Sequence, residues 1–206
     1  MTFQRFAGIT RFAAITSACL SLTIALAPGN AVAQGVALSP ELESIRKQLD
    51  KYNDPIAAVY DGYFSTLGCI EFPEGGTEGA MQYKPGGMGV HFLNMANVGP
   101  TLDPAKPQIL IYEPVGDKLK LVAAEWFVPT QVTGGKAPSI FGKELEGPME
   151  GHEPIMPAGL HHYDLHVWLW KANPNGVFSP TNPALKCPTS GYTFAEAAPK
   201  MAHPHR

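Results

Sequence analysis

The sequence predicts an α+β domain, with N-terminal helices packed on a curled, mainly antiparallel sheet or small partial barrel. Three observations carry this. Two helix starts lie close together before residue 62, strand-like runs follow one another after Cys69, and one of those runs is apolar on both faces. A sheet holding such a strand is either covered on both sides or rolled around a cavity.

The chain begins with a targeting signal. Arg5 and Arg11 flank an apolar stretch from Phe12 to Ala27, diluted by Thr16, Ser17, Ser21 and Thr23, and Pro28-Gly29-Asn30 breaks it. Ala31-Val32-Ala33 supplies the small residues that a signal peptidase reads, which places cleavage before Gln34. A membrane span needs ~20 strongly apolar residues, and this core is shorter and weaker. Residues 1–33 are therefore expected to be removed, leaving no transmembrane anchor, with the protein periplasmic or secreted. A single α+β domain is expected over 34–191, followed by a loosely ordered tail at 192–206. The chain's formal charge is −3 and it has no basic stripe, which argues against a nucleic-acid partner. Cys19 leaves with the signal. Cys69 and Cys187 remain as an even pair in an oxidising compartment, and a disulfide between them is expected.

Ser39-Pro40-Glu41 starts the first helix with a capping hydroxyl, a proline in the first turn and an acid at the positive end of the dipole. Leu42, Ile45, Leu49 and Tyr52 recur at helical spacing. Asp54-Pro55 restarts the signal, with Ile56, Val59, Tyr60 and Tyr63 as a second short stripe and Gly62 as its end. Residues 73–87 hold Pro, Gly, Glu and Thr and are expected to form a loop. Strand-like runs then cover Met88 to Asn94, Gln108 to Glu113, Leu119 to Val128 and Leu160 to Trp170, with Pro114 to Lys118 as a hairpin loop. Between the last two runs lies a Gly- and Pro-rich stretch, 129–159. So long a connection suggests a lid or binding loop.

The chemistry concentrates in the fourth run. Tyr163, Leu165, Val167 and Leu169 make an ordinary core face. His162, Asp164, His166, Trp168 and Trp170 alternate onto the opposite one. That face is too polar for core and too aromatic for plain solvent, so it suits a pocket wall. In the other runs, His91 stands opposite to Met88, Val90 and Phe92. Glu125 lies in line with Leu121, Ala123 and Phe127, where a lone charge would be expensive to bury. Brought together, His91, Glu125, His162 and His166 would bind zinc, iron, manganese or copper with a position open for water or substrate. His91 and Glu125 would equally suit metal-free acid–base catalysis, or form a buried pair that only fixes the sheet. His152, in Gly151-His152-Glu153-Pro154, would complete the site if the long loop folds over it. Asp164, Trp168 and Trp170 would contact a small-molecule ligand. Met149, Met156, Met201, His203 and His205 also allow a methionine–histidine copper path.

Gly87-Met88-Gly89-Val90-His91-Phe92-Leu93-Asn94, Ala124 to Pro129, Gly151 to Pro154, and His162 to Trp170 followed by Asn173-Pro174 and a late cysteine resemble an uncharacterised family of exported bacterial proteins. The likeness runs from the first helix to Cys187 and implies no particular activity or cofactor. Whether the chain is an enzyme stays open on the sequence. It fits an exported small-molecule-binding or metal-assisted catalytic domain with Glu125 and His91 as the catalytic pair. It also fits a non-catalytic ligand carrier, a copper- or zinc-binding envelope protein, or a structural envelope domain. The oligomeric state is not fixed by any of these patterns.

Overall fold

A run of apolar residues at helical spacing buries one stripe, and the first helix shows this directly. The computed structural model describes residues 1, 37–78, 81–151, 156–188 and 193–194. The expected signal segment, apart from Met1, thus lies outside the described residues, as does the tail beyond 194. Helix α1 (Pro40–Leu49) is capped by Ser39, whose Oγ accepts from the Leu42 N–H at 3.2 Å. Glu41 and Glu43 sit in its first turn and Arg46 and Lys47 in its last, each complementing the helix dipole. Leu42, Ile45 and Leu49 are buried, and Tyr52 follows them in a short 3₁₀ turn, Asp50–Asn53. Helix α2 (Pro55–Tyr60) starts at Asp54, which accepts from the Ile56 N–H at 2.9 Å. Its expected apolar stripe does not face the core. Ile56, Val59 and Tyr60 are exposed and Ala58 is the buried residue of the helix. Less than two turns present only one inward position, and here alanine takes it.

The strands are β1 (Phe64–Phe72), β2 (Gly76–Glu78), β3 (Met81–Tyr83), β4 (Gly86–Leu93), β5 (Ile109–Val115), β6 (Lys118–Pro129), β7 (Ser139–Ile140), β8 (Lys143–Glu144), β9 (Glu146–Met149), β10 (His162–Val167) and β11 (Thr193–Phe194), with a helical turn α3 (Thr130–Thr133) after β6. Seven of them form one sheet in the order β11-β1-β4-β5-β6-β10-β9. Every pair in it is antiparallel except β1 with β11. β2 pairs with β3 and β7 with β8 as separate ribbons.

The sheet is mainly antiparallel as expected, but it is neither closed nor strongly curled. β9 and β11 are edges and do not meet. Closure requires two edges long enough to exchange a ladder, and β11 spans only two residues. The doubly apolar β6 is accommodated by cover instead. β4 and β10 are buried along their whole length, and β6 from Leu121 to Val128. On one face, the Tyr112 hydroxyl donates to the Tyr52 carbonyl at 2.7 Å, and Tyr112 pairs across from Val90. That is the helix face. On the other face, Leu185 packs where a Cβ at Gly87 would stand, and Asn182 bridges to Gly87. His91 belongs to this second face.

Cys69 and Cys187 form the expected disulfide and tie the 182–187 segment to β1. The disulfide is consistent with a location outside the cytoplasm. Among the described residues no helix is long and apolar enough to cross a membrane. The 129–159 connection is less irregular than expected, because it holds α3, β7, β8 and β9, the last pairing with β10.

Candidate metal centre

Cross-strand partners share a face, and the register assembles the site from this rule alone. His166 of β10 is directly opposite Glu125 of β6. Glu125 is opposite Ile109 of β5, and Ile111, two residues on, is opposite His91 of β4. His91, Glu125 and His166 therefore lie on one face, spread over four adjacent strands. Ala123, the partner of Ile111, keeps the floor between them low.

The side chains close the gap. Glu125 Oε2 lies 3.4 Å from His91 Nε2 and 3.4 Å from His166 Nε2. One ligand atom from each of the three residues falls within 4.8 Å of the others. The two imidazoles meet edge to face, with ring centroids 6.1 Å apart. All three side chains are buried, Glu125 and His166 at 2% exposure each and His91 at 6%. Glu125 Oε2 and both ring nitrogens of His166 make no hydrogen bond of acceptable geometry, although each is fully buried. A separation of 3.4 Å is longer than an ordinary N–H···O bond. It is the spacing of two donor atoms at a tetrahedral angle around an ion bound at about 2.0–2.1 Å.

Asp164 stands behind this group. Its Oδ1 is 3.7 Å from His166 Nδ1 and its Oδ2 is 3.6 Å from His162 Nε2. His162 in turn places Nδ1 3.2 Å from the Leu160 carbonyl and packs its ring 4.8 Å from that of Phe127. The result is a buried row, His162–Asp164–His166–Glu125–His91, in which carboxylates and imidazoles alternate. Among the described residues no lysine or arginine pairs with Glu125 or Asp164. Burial alone would push Asp164 up, but the flanking His162 and His166 hold its carboxyl well below the ordinary range. Burial likewise disfavours charge on His166. Burial is the largest single influence, but the Glu125 charge, then the adjacent Asp164 and then Glu146 together outweigh it and push His166 up to about 9.

Of the residues expected at the site, His91, Glu125 and His166 converge. His162 sits beyond Asp164 and touches that carboxylate instead of Glu125. Asp164 lies on the site face, but in the row and not on an open surface. Trp168 and Trp170 lie past the end of β10. The Trp168 indole donates to the Ser179 carbonyl at 2.6 Å, and the Trp170 indole to Asp50 Oδ1 at 2.7 Å. His152 lies outside the described residues. Glu146 was not singled out by the sequence. It is the cross-strand partner of Asp164, and burial, then the Asp164 charge, raise its pKa. Its strand is four residues long and contains Gly147 and Pro148, too short and irregular to show alternation.

Neither family models nor curated proteins nor solved structures match this chain.

Proposed function

We propose that this chain is an exported metal-binding domain in which His91, Glu125 and His166 hold one divalent transition metal. The observation that carries the reading is the convergence of three buried donor atoms within 4.8 Å of one another, with Glu125 Oε2 at 3.4 Å from each histidine nitrogen. Charge agrees. Among the described residues no lysine or arginine pairs with the buried carboxylates Glu125 and Asp164, and a dication would offset their charge. Two nitrogens and one oxygen suit zinc, iron or manganese. The set contains no sulfur donor, so it does not favour Cu(I).

When bound, such a metal supplies Lewis-acid polarisation of an oxygen placed at its open position. The chain's own residues do the rest. Glu125 bridges the two histidines and brings the anionic donor. Asp164 Oδ1 stands 3.7 Å from His166 Nδ1, on the side of the ring away from Glu125, which leaves Nε2 as the atom facing Glu125. Burial of all three side chains keeps bulk water away. This depth of burial favours a resident metal in a binding protein over a metal exchanged freely with solvent. The leader-like N-terminus, the disulfide and the resemblance to exported bacterial proteins support placement outside the cytoplasm.

The test is elemental mass spectrometry on the processed protein, purified without a histidine tag, beside a His91→Ala/His166→Ala variant. Near-stoichiometric metal that the variant lacks is the expected result. A folded protein that carries no metal and takes up no added zinc, iron, manganese or copper would overturn the proposal.

A further inference from the structure

The edge of the sheet next to the metal centre carries a cleft of about 610 Å³. Its walls include Gln82 and Lys84 from the end of β3, Lys143 from β8, Glu146 from β9, and Asn175 and Phe178 from the segment after β10. The volume is within the range of small-molecule sites, roughly 300–1,000 Å³. Glu146 fixes where the cleft lies. It pairs across from Asp164 and so shares the face that bears His166. The cleft therefore adjoins the buried row beside Asp164.

The chemistry of the walls is unbalanced in an informative way. Among the described residues Lys84 and Lys143 make no ion pair, although Glu146 lines the same cleft. Lys143 Nζ lies 5.7 Å over the Phe178 ring, a contact that leaves its charge available. Two ammonium groups attract an anion. The Phe178 ring offers an apolar face beside them. The Glu146 carboxylate, which has no ion-pair partner among the described residues, calls for a hydrogen-bond donor.

We propose that this cleft binds a small organic anion, a carboxylate bearing a hydroxyl or an amine. Its carboxylate lies against Lys84 and Lys143, its hydroxyl or amine donates to Glu146, and its apolar body packs on Phe178. This goes beyond the metal reading and does not require it, because none of the wall residues belongs to the His91–Glu125–His166 set.

The test is calorimetric titration of the processed protein with mandelate and with phenylalanine, each carrying the three features named. Mandelamide, which lacks the negative charge, is the control. Saturable binding of at least one of the two acids is expected, with mandelamide at least about tenfold weaker than mandelate. A Lys84→Gln/Lys143→Gln variant, altered only at exposed side chains, is expected to lose at least about tenfold in affinity for the acid that binds. Absence of saturable binding by both acids overturns the proposal, and so does binding that the lysine variant leaves unchanged. Repeating the titration on the His91→Ala/His166→Ala protein separates the two readings. Retained acid binding there, without metal, upholds the cleft while the metal centre stands or falls on its own analysis. Loss of acid binding in that variant, when its fold is intact by circular dichroism, overturns the independence of the cleft.

Discussion

Asp164 is the residue whose environment says most about its task. It touches no proposed ligand atom of the metal, yet it is buried between two imidazoles and held ionised by them. A carboxylate behind a ligating histidine fixes the ring's tautomer and orientation, and removing it typically costs about 10- to 100-fold in metal affinity. Asp164→Asn keeps the shape and removes the charge. Its metal affinity, measured by competition with a chelating dye, is expected to fall within that range while the fold persists. An unchanged affinity would remove Asp164 from the centre. A second residue, far from the site, sets a pH dependence. Hydrogen bonds from Lys51 at 2.6 Å and Tyr52 at 3.0 Å hold the Asp61 carboxyl below its ordinary value near 3.8. A depressed folded pKa means that the folded chain takes up this proton less readily than the unfolded chain. The contribution is therefore present above the unfolded value and lost as pH falls through the folded one. Asp61→Asn is expected to lose less stability than the parent between about pH 6 and pH 3 in urea titrations. The difference should shrink in high salt, because the pair is exposed. Equal losses in both proteins would show that the pair contributes nothing.

At the scale of the element, β4 is the strand that can least be altered. Gly89 adopts φ of +103°, and a Cβ there would stand 2.7 Å from the Tyr112 carbonyl oxygen and 2.9 Å from Ile111 Cγ2. Both neighbours belong to β5, whose Ile111 is the cross-strand partner of His91. Gly89→Ala is expected to cost about 1–3 kcal/mol in urea unfolding. Gly99→Ala, with nothing within 4 Å of the new atom, should stay within about 0.5 kcal/mol. A Gly89 variant as stable as the Gly99 one would mean that β4 and β5 separate more easily than their packing implies. The same strand shows what a sequence displays and what it hides. β4, β5, β6 and β10 were legible, because each has a continuous apolar run or a clean alternation. α1 was legible from its cap, proline and stripe. β1 was not, because Ser65, Gly68 and Glu71 interrupt its pattern and two register shifts break its pairing with β4. β9 was hidden by Gly147 and Pro148, which an edge strand tolerates. Within β10 the face carrying His162, Asp164 and His166 was readable from the two-residue period. That His166 rather than His162 faces Glu125 was not, since it depends on the register of β10 against β6.

The whole molecule is held by more than its sheet. Strand order, which brings β4 and β10 within reach of β6, is a long-range property that no local pattern encodes. The choice between rolling and covering a doubly apolar strand is another. The chain after β10 supplies the cover, and the disulfide fastens it across a sequence separation of 118 residues. Closing so long a loop restricts the unfolded chain strongly. Cys69→Ala/Cys187→Ala is thus expected to lose about 2–5 kcal/mol, read from urea midpoints, and a loss below that range would show that packing of Leu185 and its neighbours suffices. The metal should act on the same global equilibrium. A ligand that binds only the folded chain stabilises it by mass action, about 2.7 kcal/mol when free metal is 100 times its Kd. For a chain of this size each kcal/mol moves the melting point by about 2–4 °C. Zinc at that excess is therefore expected to raise the melting temperature of the metal-stripped protein by about 5–10 °C, followed by circular dichroism. His166→Ala should show no such rise. Its metal-free melting point should fall below the parent's, because removing the imidazole leaves the buried Glu125 and Asp164 carboxylates without the cation between them. A rise of equal size in the variant would place the stabilising metal elsewhere on the molecule. No rise in either protein would mean that His91, Glu125 and His166 converge to hold each other and not an ion.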